Sequence, residues 1–203
     1  MLKDAVALVQ KCSPCQKHAN HQHNPATFMK TLESPCPFDI WGMDIVGKLP
    51  RATGQREYLI VAVDYFTKWV DAELLTKIGE KEVMKFIWQN IICQFGIPRA
   101  LIADNETQFQ GGKLKSWLEE SKIKQLFTSV NNPQANEQAE VTNRIILQQL
   151  KTRLGDAKEN WVDELPRVLW AYRTTPREFT HETPFSLIYG IEVVLPAEIG
   201  EET

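Results

Sequence analysis

Three carboxylates stand where a chain can put them to chemical use. Asp44 lies inside the apolar run Trp41-Gly-Met-Asp-Ile-Val46, where a charged side chain is costly unless it is paired or bound to a cation. Asp104 ends the short apolar run Ala100-Leu-Ile-Ala103 and opens a polar loop, so a ligand or ion can reach it. Glu140 follows Asn136, a good helix N-cap, and shares a polar stripe with Arg144, Gln148 and Lys151. The chemistry on offer is cation ligation beside a row of positive charge. Each residue also has an ordinary structural reading. Asp44 could be an edge-strand residue, Asp104 an Asx turn, and Glu140–Arg144 an exposed ion pair worth a few tenths of a kcal/mol. A separate pair, Cys12-x-x-Cys15, has the spacing of zinc ligands, but tetrahedral zinc takes four.

The elements that must position these groups are legible as runs. Residues 38–46 and 58–66 are rich in β-branched and aromatic side chains, with a turn-like Pro50-Arg-Ala-Thr-Gly54 between them, and read as an antiparallel pair. Residues 69–75 read as a third strand. From Glu80 to Phe95, one helical stripe carries Met84, Ile87, Trp88, Ile91 and Phe95, and Gly96 and Pro98 end it. Residues 100–103 form a short buried strand, 114–120 a short helix and 123–129 another strand. Residues 136–174 read as two helices. The order β-β-β-α-β-α-β-α-α predicts a mixed sheet flanked by helices.

The chain has 203 residues, 43% hydrophobic and 24% charged, with 10 Gly and 11 Pro. That composition excludes collagen-like and low-complexity chains, and no apolar run is long enough to span a bilayer. No membrane partner is expected. The formal net charge is −3, yet the last 26 residues hold six Glu and no Lys or Arg. The remainder, with 23 basic against 20 acidic residues, is mildly basic, so a nucleic-acid partner is permitted.

The text around the carboxylates resembles one family. The segments WGMDIVG, IADNETQF and NPQANEQAEVTNR resemble the core of retroviral-type integrases, above all those of gypsy-class long-terminal-repeat retrotransposons of plants. The 35 residues between Asp104 and Glu140 match the spacing for which the family's Asp-Asp-35-Glu pattern is named. VAVDYFTKWVDA, FGIPRALIAD, LWAYRTTPR and ETPFSLIYG extend the likeness over nearly the whole chain. The resemblance implies an α/β, ribonuclease-H-like fold: a mixed five-stranded sheet flanked by helices. It implies Asp44, Asp104 and Glu140 as catalytic ligands of two Mg²⁺ or Mn²⁺ ions, since hard oxygens suit such cations. Asp64 competes as the first carboxylate but matches a non-ligand position. The activity implied is trimming of element DNA ends and joining of them to host DNA. DNA is then the partner, a homo-oligomer the active form and the nucleus the place of action. Arg144, Gln148 and Lys151 are expected to hold the DNA backbone, assisted by Lys113, Lys115 and Arg173.

The same resemblance divides the chain. Residues 1–37 are expected to be a truncated remnant of a His-His-Cys-Cys zinc module, with Cys12 and Cys15 as its remaining ligands and zinc held substoichiometrically. His18, His21 and His23 are the nearby substitutes for the missing pair. Residues 38–176 are the catalytic core, and residues 177–203 an acidic, Pro-punctuated extension. Glu106 and Glu137 stand where relatives commonly carry Gly, adding negative charge beside the site and the DNA path. That departure supports an alternative, an inactive nucleic-acid-binding remnant. A ribonuclease H acting on hybrids is a third reading from fold, and the surrounding text does not match it.

Overall fold

The computed structural model describes residues 34–49, 51–127, 161–177 and 181–194. These lie within the unit Thr31–Thr203. Five strands form one sheet: β1 (Ile40–Val46), β2 (Tyr58–Asp64), β3 (Val70–Leu75), β4 (Ala100–Ala103) and β5 (Lys124–Phe127). Their spatial order is β3-β2-β1-β4-β5. The first three pair antiparallel, while β4 runs parallel to β1 and β5 parallel to β4. β1 is thus the central strand, and the edge-strand reading of Asp44 is excluded.

Helix α1 runs from Glu80 to Phe95, as an α segment (Glu80–Phe86), a π turn (Ile87–Ile92) and a last α turn (Cys93–Phe95). α2 (Gly112–Glu120) joins β4 to β5, α3 (Trp161–Arg173) is the next described helix, and α4 (Pro184–Tyr189) is the last. The acidic first turn of α1 also serves α2: Glu80 Oε1 accepts from the backbone N–H groups of Lys113 and Leu114 at 3.0 and 3.2 Å. These donors have no partner within their own helix, so Glu80 caps it from outside. A Cβ on Gly111 would collide with that carboxylate.

Alternation along the strands sends side chains to two cores. Trp41, Met43 and Ile45 of β1, Ile60 and Ala62 of β2, and Leu101 and Ala103 of β4 pack with Phe86, Ile87 and Ile91 of α1 and Leu114 and Leu118 of α2. On the other face, Leu59, Val61 and Val63 meet Leu165, Val168, Leu169 and Tyr172 of α3. Phe185 and Ile188 of α4 pack against the first core.

The strands agree with the sequence to within two or three residues, but the helical stripe does not. Trp88, placed by regular spacing on the buried stripe, is 53% exposed. Val83, Phe86, Ile87 and Ile91, spaced three and four apart, turn one face to the core, and Trp88, one residue and about 100° on from Ile87, points away from it.

Gly42 shows how closely this face of the sheet is covered. A Cβ there would lie 2.6 Å from Cε1 of the buried Tyr65 ring. That ring shields Ile40, Ala100 and Ile102. Gly42→Ala is therefore expected to destabilise the fold by about 1–3 kcal/mol, the usual cost of overpacking. Urea unfolding measures this, and a change under about 0.5 kcal/mol would mean the ring yields freely.

Candidate active site

The parallel pairing of β1 and β4 brings the first two carboxylates together. Ile40, Trp41 and Gly42 stand opposite Ala100, Leu101 and Ile102. Two residues further along the same register, Asp44 falls beside Asp104, on strands that neighbour at roughly 4.8 Å. Alternation puts both on the same face. Trp41 and Met43 point into the α1 core with Leu101 and Ala103, so Asp44 and Asp104 share the opposite side with Ile40, Gly42 and Ile102. Towards one end of this row the Tyr65 ring covers the sheet, and at the other the two carboxylates stand half-buried.

Local structure holds the Asp104 loop in shape. Asp104 Oδ1 accepts from the Glu106 N–H at 3.1 Å, an Asx turn. Phe109 N–H and Gln110 N–H donate to the carbonyls of Glu106 and Thr107, and the Phe109 ring is buried in the core. The Asx reading and the functional one are both true here, because the second Asp104 oxygen is not needed by the turn. Asp44 Oδ1 accepts from the Ile45 N–H at 2.8 Å.

Glu106 joins this pair. Burial pushes its carboxyl above the usual range, and the charges of Asp104 and Asp44 push it further. Its Oε2 is buried without a hydrogen-bond partner. Burial likewise raises Asp104, with only the Glu106 N–H opposing. The oxygens of Asp44 and Asp104 at this sheet end suit a hard divalent cation, and the charge of Glu106 stands nearby. Among the described residues, no three of His, Cys, Asp and Glu come close enough to hold an ion by themselves. Asp44 and Asp104 fit as two ligands, and the expected third, Glu140, lies outside the described residues.

Replacing Glu106 by Gln is expected to raise stability in a chelator, on the order of 1 kcal/mol, since a buried unpartnered acceptor loses its charge. The gain should shrink when Mg²⁺ is added. Thermal melts in both conditions check it, and an equal gain in each would mean Glu106 and the cation do not share a field.

Asp64, the rival first carboxylate, has a different task. It is fully buried and accepts from Phe38 N–H, Thr67 N–H and Thr67 Oγ1 at 3.0, 2.8 and 2.7 Å. It ties the β2–β3 turn to the entry of β1 and has no open side for a ligand.

Residues 34–133 match the integrase core domain family. This stretch, just under half of the chain, carries an integrase core domain. Over 194 residues, 94% of the chain, it is 28% identical to the transposon Tf2-3 and Tf2-4 polyproteins of Schizosaccharomyces pombe. The chain spans only 14% of the length of those polyproteins. Among solved structures, the simian T-cell lymphotropic virus intasome, in complex with the PP2A regulatory subunit B56 gamma, superposes with a TM-score of 0.70. That alignment has 19% identity and covers 93% of this chain and 67% of that one. The HTLV-2 integrase catalytic core domain, solved in complex with magnesium in a trimeric form, gives 0.62 at 20% identity. It covers 76% of this chain and 99% of that one. These likenesses place the integrase core in the ribonuclease-H-like fold.

The remaining expected site residues divide. Lys113 and Lys115 lie on α2, two positions apart and so on opposite sides of it. Lys113 lines a cleft with Glu80, Ser116, Trp117 and Glu120, and Lys115 faces a groove beside β5. Arg173 has an interior role rather than an open one. Its Nε donates to the Val70 carbonyl at 2.9 Å, its Nη2 to Asp71 Oδ1 at 3.2 Å, and its guanidinium lies 4.2 Å from the centre of the Trp69 ring. It was expected to assist in holding DNA, whereas the structure pairs it with Asp71, 102 residues away in sequence. Arg144, Gln148, Lys151, Cys12 and Cys15 lie outside the described residues. Sequence reasoning did not single out Lys122 and Lys124, although the spacing Lys113, Lys115, Lys122, Lys124 was a visible signal.

Proposed function

We propose that this chain is the catalytic core of a retrotransposon integrase of the gypsy class, which trims element DNA ends and joins them to target DNA. The observation that carries the reading is the in-register placement of Asp44 and Asp104, on one face at the end of a parallel strand pair, within an integrase core domain. The magnesium complex of the HTLV-2 core supports Mg²⁺ as the cation.

Asp44, Asp104 and Glu140 would hold two Mg²⁺ or Mn²⁺ ions. When bound, such an ion pair activates an attacking oxygen and neutralises the leaving one in a phosphoryl displacement. The chain's own residues supply position. β1 and β4 fix two carboxylates by the hydrogen bonds of the sheet, the Asx turn orients Asp104, and Tyr65 closes the neighbouring surface to water. A rigid frame of this kind places a scissile phosphate at one spot relative to both ligands.

A homo-oligomer is the proposed working form, in keeping with the trimeric and dimeric forms of the HTLV-2 core. The proposed place of action is the nucleus, where target DNA resides. One observation favours a second reading, a DNA-binding remnant without catalysis: Glu106 adds a third anion beside the pair, where it opposes an incoming phosphate. Strand transfer on oligonucleotides carrying candidate element ends, with Mg²⁺ or Mn²⁺, separates the two. Joined products support the integrase. Tight DNA binding without product, restored to joining by Glu106→Gly, assigns the remnant.

A further inference from the structure

Fifteen Lys and Arg side chains fall among the described residues, and most are engaged. Lys48, Arg51, Lys77, Lys85, Arg99, Arg167 and Arg173 pair with carboxylates, and Lys68 and Arg177 donate to backbone carbonyls. The unengaged ones are Arg56, Lys81, Lys113, Lys115, Lys122 and Lys124, so four of the six lie between the start of α2 and β5. Three of those four line one groove of about 920 Å³ between α2 and the edge strand β5. Glu119 is the acid among the lining residues. Asn105, the neighbour of Asp104, and Phe127, which stands opposite Ala103 and is 39% exposed, line the groove at the carboxylate end, and Lys124, opposite Ala100, lines it at the far end.

Unpaired cations in a concave surface concentrate potential and attract a polyanion. The backbone adds a second observation. Lys122 holds φ 59°, in the left-handed region, directly after the end of α2. Glycine fills that position at least cost, and a lysine there is strained. A charge kept at a strained position is consistent with a task for its side chain.

We propose that this groove is a DNA-backbone track. Lys115, Lys122 and Lys124 hold successive phosphates of a duplex whose path leads past Asn105 to the Asp44–Asp104 end of the sheet. The inference rests on the proposed function only for the choice of DNA as the polyanion. It also divides two lysines of one helix, since Lys115 lies on the track and Lys113 in the opposite cleft.

The test is fluorescence anisotropy of a labelled duplex against the full chain in EDTA, over a series of salt concentrations, so that catalysis does not enter. The triple variant Lys115→Ala, Lys122→Ala, Lys124→Ala is expected to bind at least about tenfold more weakly near 0.1 M salt. The slope of log K against log[salt] should flatten by roughly 0.9 for each lysine that held a phosphate. Lys122→Gly should raise the melting temperature while weakening DNA binding, which separates the charge from the fold. Lys113→Glu should weaken binding less than Lys115→Glu. Equal losses at positions 113 and 115, or an unchanged salt slope in the triple variant, overturn the track. Normal strand transfer by that triple variant overturns the track and leaves the integrase reading standing. Lysine-dependent binding by a chain that joins no ends supports the track and removes the catalytic reading.

Discussion

Asp44→Asn and Asp104→Asn are each expected to lower the rate of DNA joining about a hundred- to a thousandfold while leaving the sheet folded. Either change removes one anionic oxygen from the set that would hold the cations. The charge stabilisation supplied by such ions is worth several kcal/mol, and each 1.4 kcal/mol is a factor of ten in rate. The fold should not suffer. Asp104 crowds Glu106, and both carboxyls are pushed above their usual range, so neutralising Asp104 relieves repulsion. Melting temperatures at or slightly above that of the unmodified chain are expected in EDTA. Calorimetric titration with Mg²⁺ should show weakened binding in both variants. Single-turnover strand transfer is the decisive assay. Wild-type rates in either folded variant would remove Asp44 and Asp104 from the chemistry.

The largest effect on stability is expected at Arg173. Its guanidinium joins α3 to β3 through Asp71, the Val70 carbonyl and the Trp69 ring, with 23% of its side chain exposed and 12% of that of Asp71. Arg173→Ala leaves Asp71 buried with no counter-charge. Breaking a buried pair on one side costs about 3–5 kcal/mol, and partial exposure points to the low end. A loss of about 3 kcal/mol corresponds to a fall in melting temperature of roughly 6–12 °C in a chain of this size. The deficit should depend on pH in one direction. Burial already raises the Asp71 carboxyl, and Arg173 works against that rise. Without Arg173 the folded-state pKa climbs further above the unfolded one. The penalty is then fully present above the folded value and fades as pH falls towards the unfolded value. Melts at pH 8 and pH 5 should show the larger deficit at pH 8. Arg173→Lys should fall between, keeping charge but not the planar fork or the stacking. A variant as stable as the parent would mean that Asp71 finds water instead.

Much of the site was legible before the structure, and the reasons are local. Asp44 stood out because an acid in an apolar strand needs an explanation, and Asp104 because it ends one. Their juxtaposition depends on a parallel pairing, which no local pattern announces. The departures have equally physical causes. Trp88 was misplaced because the stripe was drawn through Met84, Trp88 and Phe95, one residue round the helix from the face that Val83, Phe86, Ile87 and Ile91 turn to the core. Arg173 looked available because its partner is remote in sequence and belongs to another element. The π turn left no mark in residue types, whereas the run of lysines from 113 to 124 did. What that run lacked was direction: only the axis of α2 shows that Lys113 and Lys115 face different clefts.

The parallel pairing of β1 with β4 has a consequence for how the site comes into being. Asp44 and Asp104 are separated by two antiparallel strands and the whole of α1, so they meet only when a loop of some sixty residues closes. Hairpin pairing of β1, β2 and β3 is more local and closes shorter loops, whereas the contact that creates the carboxylate pair is among the most distant in the sheet. The pair therefore has no existence in a fragment that lacks either strand, or in a partly folded chain where β1 and β4 have not yet paired. A nascent or damaged copy is kept from gathering the two ligands by its topology alone, before any inhibitor or partner is needed.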